Sequence, residues 1–259
     1  MRKPIVADQF YPGNKAELNA LLKSYSIKSG KAIAAICPHA GYVFSGKCAS
    51  LSYFHLKKAS TYIILGTDHS GCGTCLSTDD WETPFGIIKS NREICKRLID
   101  LGIEEDNYSH KFEHSIEVQL PFIQFINPNA TIVPIIINDI NVAEKIKKVI
   151  DKDTVVIASS DFTHYGANYD YLPFTKKIKE NLYKLDNDAI KFILDLDSKG
   201  FVDYVKETKA TICGYKPIAC LIEIMKGKAK PKLINYCSSG DVTKDYSNAV
   251  GYASIVFEE

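Results

Sequence analysis

The chain has 259 residues, of which 46% are hydrophobic and 24% charged, and its 32 basic and 31 acidic side chains leave a net charge of +1. That is ordinary globular composition, long enough to bury a sizeable core without disulfide staples, and the charge balance favours neither nucleic acid nor an anionic membrane surface. No window approaches the ~20 apolar residues of a membrane span, and MRKPIVADQFYPGNK carries no signal-peptide stretch, so the expected compartment is the cytoplasm, with the eight cysteines held mostly as thiols.

Asn14 is placed to cap a first helix, with Glu17 at the third position and Leu18, Leu21, Leu22 and Tyr25 on one face. An apolar run over residues 33–37 leads into Pro38-His39-Ala40-Gly41-Tyr42, and a helix is expected over 46–57, with His55 as a structural residue beside Leu51. A second run, 62–65, leads into Gly66-Thr67-Asp68-His69-Ser70-Gly71 and then a lone Cys72-Gly73-Thr74-Cys75. A single C-x-x-C is a weak signal, read first as incidental thiols and second as a redox pair. Helical patterns follow at 91–101 and 115–126, the latter expected to kink at Pro121. After a third run at 132–137 come a helix over 141–150 and a fourth run at 155–158, which leads into Ser159-Ser160-Asp161-Phe162-Thr163-His164-Tyr165-Gly166. A helix over 173–194 is expected to break near Asp186. Thr211-Ile212-Cys213-Gly214-Tyr215 then opens an apolar helix, and 233–236 and 252–257 could add strands.

The runs are continuously apolar rather than alternating, as in strands covered on both faces. Strand–helix alternation without a linker or repeat predicts one α/β domain over residues 1–259, with a central mixed, mostly parallel sheet flanked by helices.

Three of the runs end alike, with a histidine beside glycine just past the strand: His39, His69 and His164. In open α/β sheets the carboxyl ends of the strands share one edge, and the pocket forms there. A single loop histidine is ordinarily a surface or capping residue, but three in the same slot, out of six in the chain, form a pattern. Neutral imidazole is a common ligand for zinc, iron and copper. Asp161 could fix a nearby imidazole or bind the metal itself, and His164 could be a ligand or a general base. Cys213, at a predicted helix start where free N–H groups favour a thiolate, reads as a ligand, a nucleophile or a small buried hydrophobe. In Glu113-His114-Ser115-Ile116-Glu117, a helix from His114 puts Ile116, Leu120 and Ile123 on the core. His114 and Glu117 then share another face, either lining the site or serving the helix dipole.

Taken in order, Pro38-His39-Ala40-Gly41-Tyr42, the 66–69 turn, Glu113 to Glu117, Ser159 to His164 and Thr211-Ile212-Cys213-Gly214 resemble the Memo family, the prokaryotic members of which are called protein B of the AmmeMemoRadiSam system. The resemblance spans nearly the whole chain, from Phe10-Tyr11-Pro12 to the last strand. It implies a fold like that of class III extradiol dioxygenases, and a metal triad of His39, His69 and Cys213 with Asp161 and His164 as further pocket residues. Ser70 stands where some relatives carry a second histidine.

The implied cofactor is one divalent or redox-active metal ion per chain, iron or copper first and zinc as the alternative. The first functional expectation is a metal-dependent redox, dioxygenase-like protein in which His164, oriented by Asp161, transfers a proton. The thiolate, softer than a carboxylate, argues against simple catechol cleavage. The second is a non-catalytic module that uses the pocket for a small molecule, a peptide or a protein. The resemblance implies this through the family's peptide-binding eukaryotic members; here Tyr11, Tyr42 and Trp81 could line such a groove, with radical-SAM and companion proteins as partners. A zinc hydrolase is a weaker third, since H-E-x-x-H is missing and Glu117 would have to serve as base.

Overall fold

The computed structural model describes residues 1–25 and 30–259. Its strands are β1 (Ala34–Cys37), β2 (Thr61–Thr67), β3 (Cys75–Leu76), β4 (Trp81–Thr83), β5 (Gly86–Ser90), β6 (Glu104–Glu105), β7 (Thr131–Ile137), β8 (Thr154–Ser159), β9 (His164–Gly166), β10 (Lys230–Ser238) and β11 (Asn248–Glu258). Its helices are α1 (Lys15–Ser24), α2 (Tyr42–His55), α3 (Arg92–Asp100), α4 (Leu120–Ile126), α5 (Ala143–Ile146), α6 (Ile178–Leu194), α7 (Ser198–Thr208), α8 (Tyr215–Met225) and α9 (Ser239–Thr243).

The main sheet runs β10-β11-β1-β8-β2-β7-β3-β6 and does not close into a barrel. Its centre is parallel, since β1 pairs β8, and β2 pairs both β8 and β7, in that sense. β11 is antiparallel to β1 and β10, which makes the sheet mixed. Both faces are covered. Ile63 and Leu65 of β2 and Val133 and Ile135 of β7 pack with α3, α6, α7 and α8, while Tyr62, Ile64 and Ile132 pack with α1, α2 and α4. The continuous apolar runs follow from this double burial: alternate side chains enter two different cores, and neither can be polar. No helix among the described residues is long and apolar enough to cross a membrane.

Register places the site. Cys37 lies opposite Ser159 in the β1–β8 ladder, and Leu65 opposite Ala158 in the β2–β8 ladder. The three strands therefore end at one edge, where their following loops meet.

Several local expectations are corrected. α6 runs unbroken through Asp186, whose buried carboxylate accepts hydrogen bonds from Thr163 and Tyr236 instead of disrupting the helix. The stretch 115–126 is a 3-10 turn (Glu117–Gln119) followed by α4. Pro121 sits in the first turn of α4, where its missing N–H costs no helical bond, so it produces no kink. The pattern at 141–150 yields only the short α5 after a 3-10 turn. Strands β3 to β6 and β9, and helix α7, went unread in the sequence because they are short or polar. Asn14 caps α1 as expected, accepting from Ala16 and Glu17 N–H at 2.8 and 3.2 Å.

Candidate metal centre

A cavity of about 620 Å³ opens at the shared strand edge. His39, His69, His114, Asp161, His164 and Cys213 all line it, under a rim that includes Phe44 and Tyr169. His39 lies two residues beyond β1 and His69 two beyond β2. His164 is not in a loop but is the first residue of β9, paired with Val250 of β11. The close approach at Cys213 needs the next residue to be glycine: a Cβ on Gly214 would lie 2.5 Å from Ser160 Cβ.

One donor atom from each of His39, His69 and Cys213 lies within 4.8 Å of the other two. Cys213 Sγ is 3.3 Å from His39 Nε2. With Zn–N of about 2.0–2.1 Å and Zn–S of about 2.3 Å, two such ligands stand ~3.1 Å apart at a right angle and ~3.6 Å apart at the tetrahedral angle. The observed separation falls between these, so the donors fit one ion.

The hydrogen bonds behind the imidazoles fix their tautomers. Ser159 Oγ donates its proton to the Ser115 carbonyl at 2.7 Å and accepts from Gln119 Nε2 at 2.9 Å. Its 3.1 Å contact with His39 Nδ1 is then donated by the ring, which leaves Nε2 bare towards Cys213. His69 Nδ1 faces both oxygens of Glu113, at 2.9 and 3.1 Å, which leaves its Nε2 for a ligand. A carboxylate behind a ligating imidazole orients it and raises its basicity. Burial pushes the Glu113 carboxyl up, but the hydrogen bond and charge of His69, with donation from Ser115, outweigh it and hold the group down at about 2. Glu113 is therefore ionised. Burial lowers His69, and Glu113 more than reverses it. His39 is pushed well down by burial and by the neighbouring His114 and His69, so it is neutral.

His114 stacks on His69 with centroids 4.6 Å apart and meets His39 edge-on at 5.4 Å. With Glu113 and His69 it forms a second group of close donor atoms, but in that group Glu113 is already spent on His69 Nδ1.

Several expectations about side-chain roles are corrected. Asp161 does not tether His164. Its Oδ1 accepts from the backbone N–H of His39 at 2.8 Å and of Ala40 at 3.3 Å, so it shapes the loop that carries His39. Burial raises Asp161, opposed by the charge of His164 and by those backbone bonds. His164 is oriented by a carbonyl: Nδ1 donates to Thr211 O at 2.9 Å. Cys213 lies at the start of α8, directly before its N-cap Gly214, but burial, then Asp161, pushes its thiol up instead of favouring a thiolate.

Glu117 and Tyr42 are absent from the cavity wall. Glu117 is fully buried in an ion pair with Arg2 and accepts from Ile5 N–H, Val6 N–H and Tyr11 Oη, while Tyr42 Oη donates to Val118 O at 2.7 Å. Tyr11 and Tyr42, largely buried, line a separate cavity with Phe10 and Tyr25, while Trp81 is fully buried outside it, so the three aromatics do not share one groove. Ser70 is exposed, and its hydroxyl reaches towards Asp68. Glu113, Ser159 and Thr211, which orient the three imidazoles, were missed. Glu113 beside His114 was the one usable signal, and its spacing matched that of Glu117 too closely to separate the two.

A family model described as Memo-like protein matches residues 2–256. Relatives described as MEMO1 family proteins include one from Methanosarcina barkeri, 38% identical over 277 residues and covering 100% of both chains. Another, from Archaeoglobus fulgidus, is 38% identical over 271 residues and covers 99% of both. A third, from Pyrococcus furiosus, is 37% identical over 291 residues and covers 100% of this chain and 99% of the relative. Among solved structures, an uncharacterized protein of Escherichia coli K12 shares the fold with a TM-score of 0.57 at 11% identity, over 87% of this chain and 100% of the other.

Proposed function

The chain belongs to the Memo family, and from that premise we propose that it is a metal-dependent redox protein holding one metal ion through His39, His69 and Cys213. The observation that carries this reading is the pair of Nδ1 contacts: Ser159 and Glu113 occupy the far sides of two imidazoles and leave both Nε2 atoms free beside one sulfur. Two imidazoles and a sulfur that gives up its proton as the ion binds suit iron or copper, with zinc as the alternative. A bound ion of this kind supplies Lewis acidity and, for iron or copper, electron transfer.

The chain's own groups divide the remaining work. Because Thr211 O takes the Nδ1 proton of His164, the Nε2 lone pair of His164 is free to accept a proton from a substrate in the cavity. Asp161 holds the His39 loop in place and contributes a carboxyl to the same wall. The half-exposed Phe44 and Tyr169 at the rim give a ligand's apolar part a place to rest. Eight free thiols fit a reducing cytoplasmic setting.

Anaerobically purified protein, offered Fe(II) and Cu(I) separately, is expected to take up about one ion per chain. The combined His39→Ala and Cys213→Ala change should abolish uptake, and unchanged metal content would overturn the assignment. The non-catalytic alternative draws on the exposed apolar residues Val43, Phe44 and Val242 on α2 and α9. Co-purification with a radical-SAM protein or another partner, without metal uptake, would favour it. Hydrolysis based on Glu117 is set aside, because that carboxylate is committed to Arg2.

A further inference from the structure

We propose that Cys72 and Cys75 form a redox-active dithiol, oxidised to a disulfide by hydroperoxides. The inference does not depend on the metal reading. Their Sγ atoms are 3.9 Å apart, and a disulfide requires about 2.05 Å, so closure asks for less than ~2 Å of movement.

The two thiols differ in the way such a pair requires. Cys72 is exposed, whereas Cys75 is buried at the start of β3. Cys75 is held by its ladder partners Ile136 and Glu104, and its carbonyl accepts from His110 Nε2 at 3.3 Å. Cys72 is the partner that can move. It sits between Gly71 (φ 74°) and Gly73 (φ 91°), and beyond the adjoining residues no described atom lies within 4 Å of where a Cβ would stand on either glycine. Both backbone conformations are ones a side chain disfavours, so the glycines make the turn and leave open space around it.

Asp68 organises this turn. Its carboxylate accepts from Cys72 N–H at 2.9 Å and Gly73 N–H at 3.0 Å, and the Cys72 thiol points at the same carboxylate from 3.4 Å. Burial, then the neighbouring Cys72, pushes the Cys75 thiol up, so Cys75 stays protonated while Cys72 reacts.

In the first step Cys72 Sγ attacks one oxygen of hydrogen peroxide and the O–O bond breaks. The leaving oxygen departs as water with the thiol proton, and Cys72 becomes a sulfenic acid. Cys75 Sγ then displaces the sulfenic oxygen, which leaves as a second water with the Cys75 proton. Two thiols thus give two electrons and two protons to one peroxide. Asp68 immediately precedes His69, so the oxidisable turn and the histidine that lines the cavity share one loop.

The test treats the full-length protein with one equivalent of hydrogen peroxide, denatures it, blocks free thiols with N-ethylmaleimide and maps the peptides without reduction. The expected result is a linked Cys72–Cys75 peptide appearing before any oxidation of Cys213, Cys48 or Cys237. The Cys75→Ser protein should instead accumulate a sulfenic acid at Cys72, trapped by dimedone, and the Cys72→Ser protein should leave Cys75 free for N-ethylmaleimide. Earlier oxidation of Cys213, Cys48 or Cys237, or conversion of Cys72 to sulfinic acid without a link to Cys75, would overturn the proposal.

Discussion

Replacing Glu117 by leucine separates a structural role for this residue from a place in the site. Glu117 and Arg2 are 0% and 1% exposed, so the change leaves a guanidinium in the interior without its counter-charge. It also strands the N–H groups of Ile5 and Val6 and the hydroxyl of Tyr11, all of which donate to the same carboxylate. Removing one partner of a buried ion pair costs about 3–5 kcal/mol. Arg2 keeps bonds to the carbonyls of Lys3, His110 and Glu113 and stacks on Trp81 at 4.4 Å, which argues for the lower half of that range. The assay is urea unfolding followed both by the fluorescence of Trp81 and by far-ultraviolet circular dichroism, with coincident transitions licensing a two-state treatment. The Arg2→Met, Glu117→Leu double variant removes both charges and should be more stable than Glu117→Leu alone. Metal uptake should be unchanged in any variant that stays folded. A loss below ~1 kcal/mol, far under the buried-pair cost, or a double variant no better than the single, would refute the reasoning.

Glu113→Gln keeps the shape of the His69 contact but removes its charge, and titration with Fe(II) or Cu(I) should show metal affinity lowered about 10–100-fold. Asp186 gives a pH signature: burial, against donation from Thr163 and Tyr236, raises its carboxyl from 3.8 to about 6. Between those values the folded protein binds the extra proton, so this group's contribution to stability falls as pH rises from about 4 to about 6, by ~3 kcal/mol in all. Asp186→Asn should lack that slope when unfolding is measured across this range, and parallel profiles for the two proteins would exclude it. Gly251→Ala places a Cβ against Asp186 Oδ2 and 2.6 Å from Tyr236 Oη, and should lower stability by about 1–3 kcal/mol in urea.

The amino-acid sequence by itself determined the architecture and the edge at which the chemistry gathers. Runs such as 62–65 and 155–158 are apolar at every position because both faces of the sheet are covered, and that fact is written in composition alone. The parallel ladders then bring the ends of β1, β2 and β8 to one place, so the sequence alone groups His39 with His69. What needed the tertiary structure was each side chain's partner. Glu113 and Glu117 are four apart and look alike in sequence. A 3-10 turn rather than a full helix follows His114, and one carboxylate faces His69, 44 residues back, while the other faces Arg2, 115 residues back. The same holds for Asp161, which holds the His39 backbone rather than the imidazole of His164, three residues on. Periodicity reports which face of an element is apolar, because burial acts on every residue of a run. A hydrogen-bond partner is a single long-range contact, and only the packing of distant segments selects it.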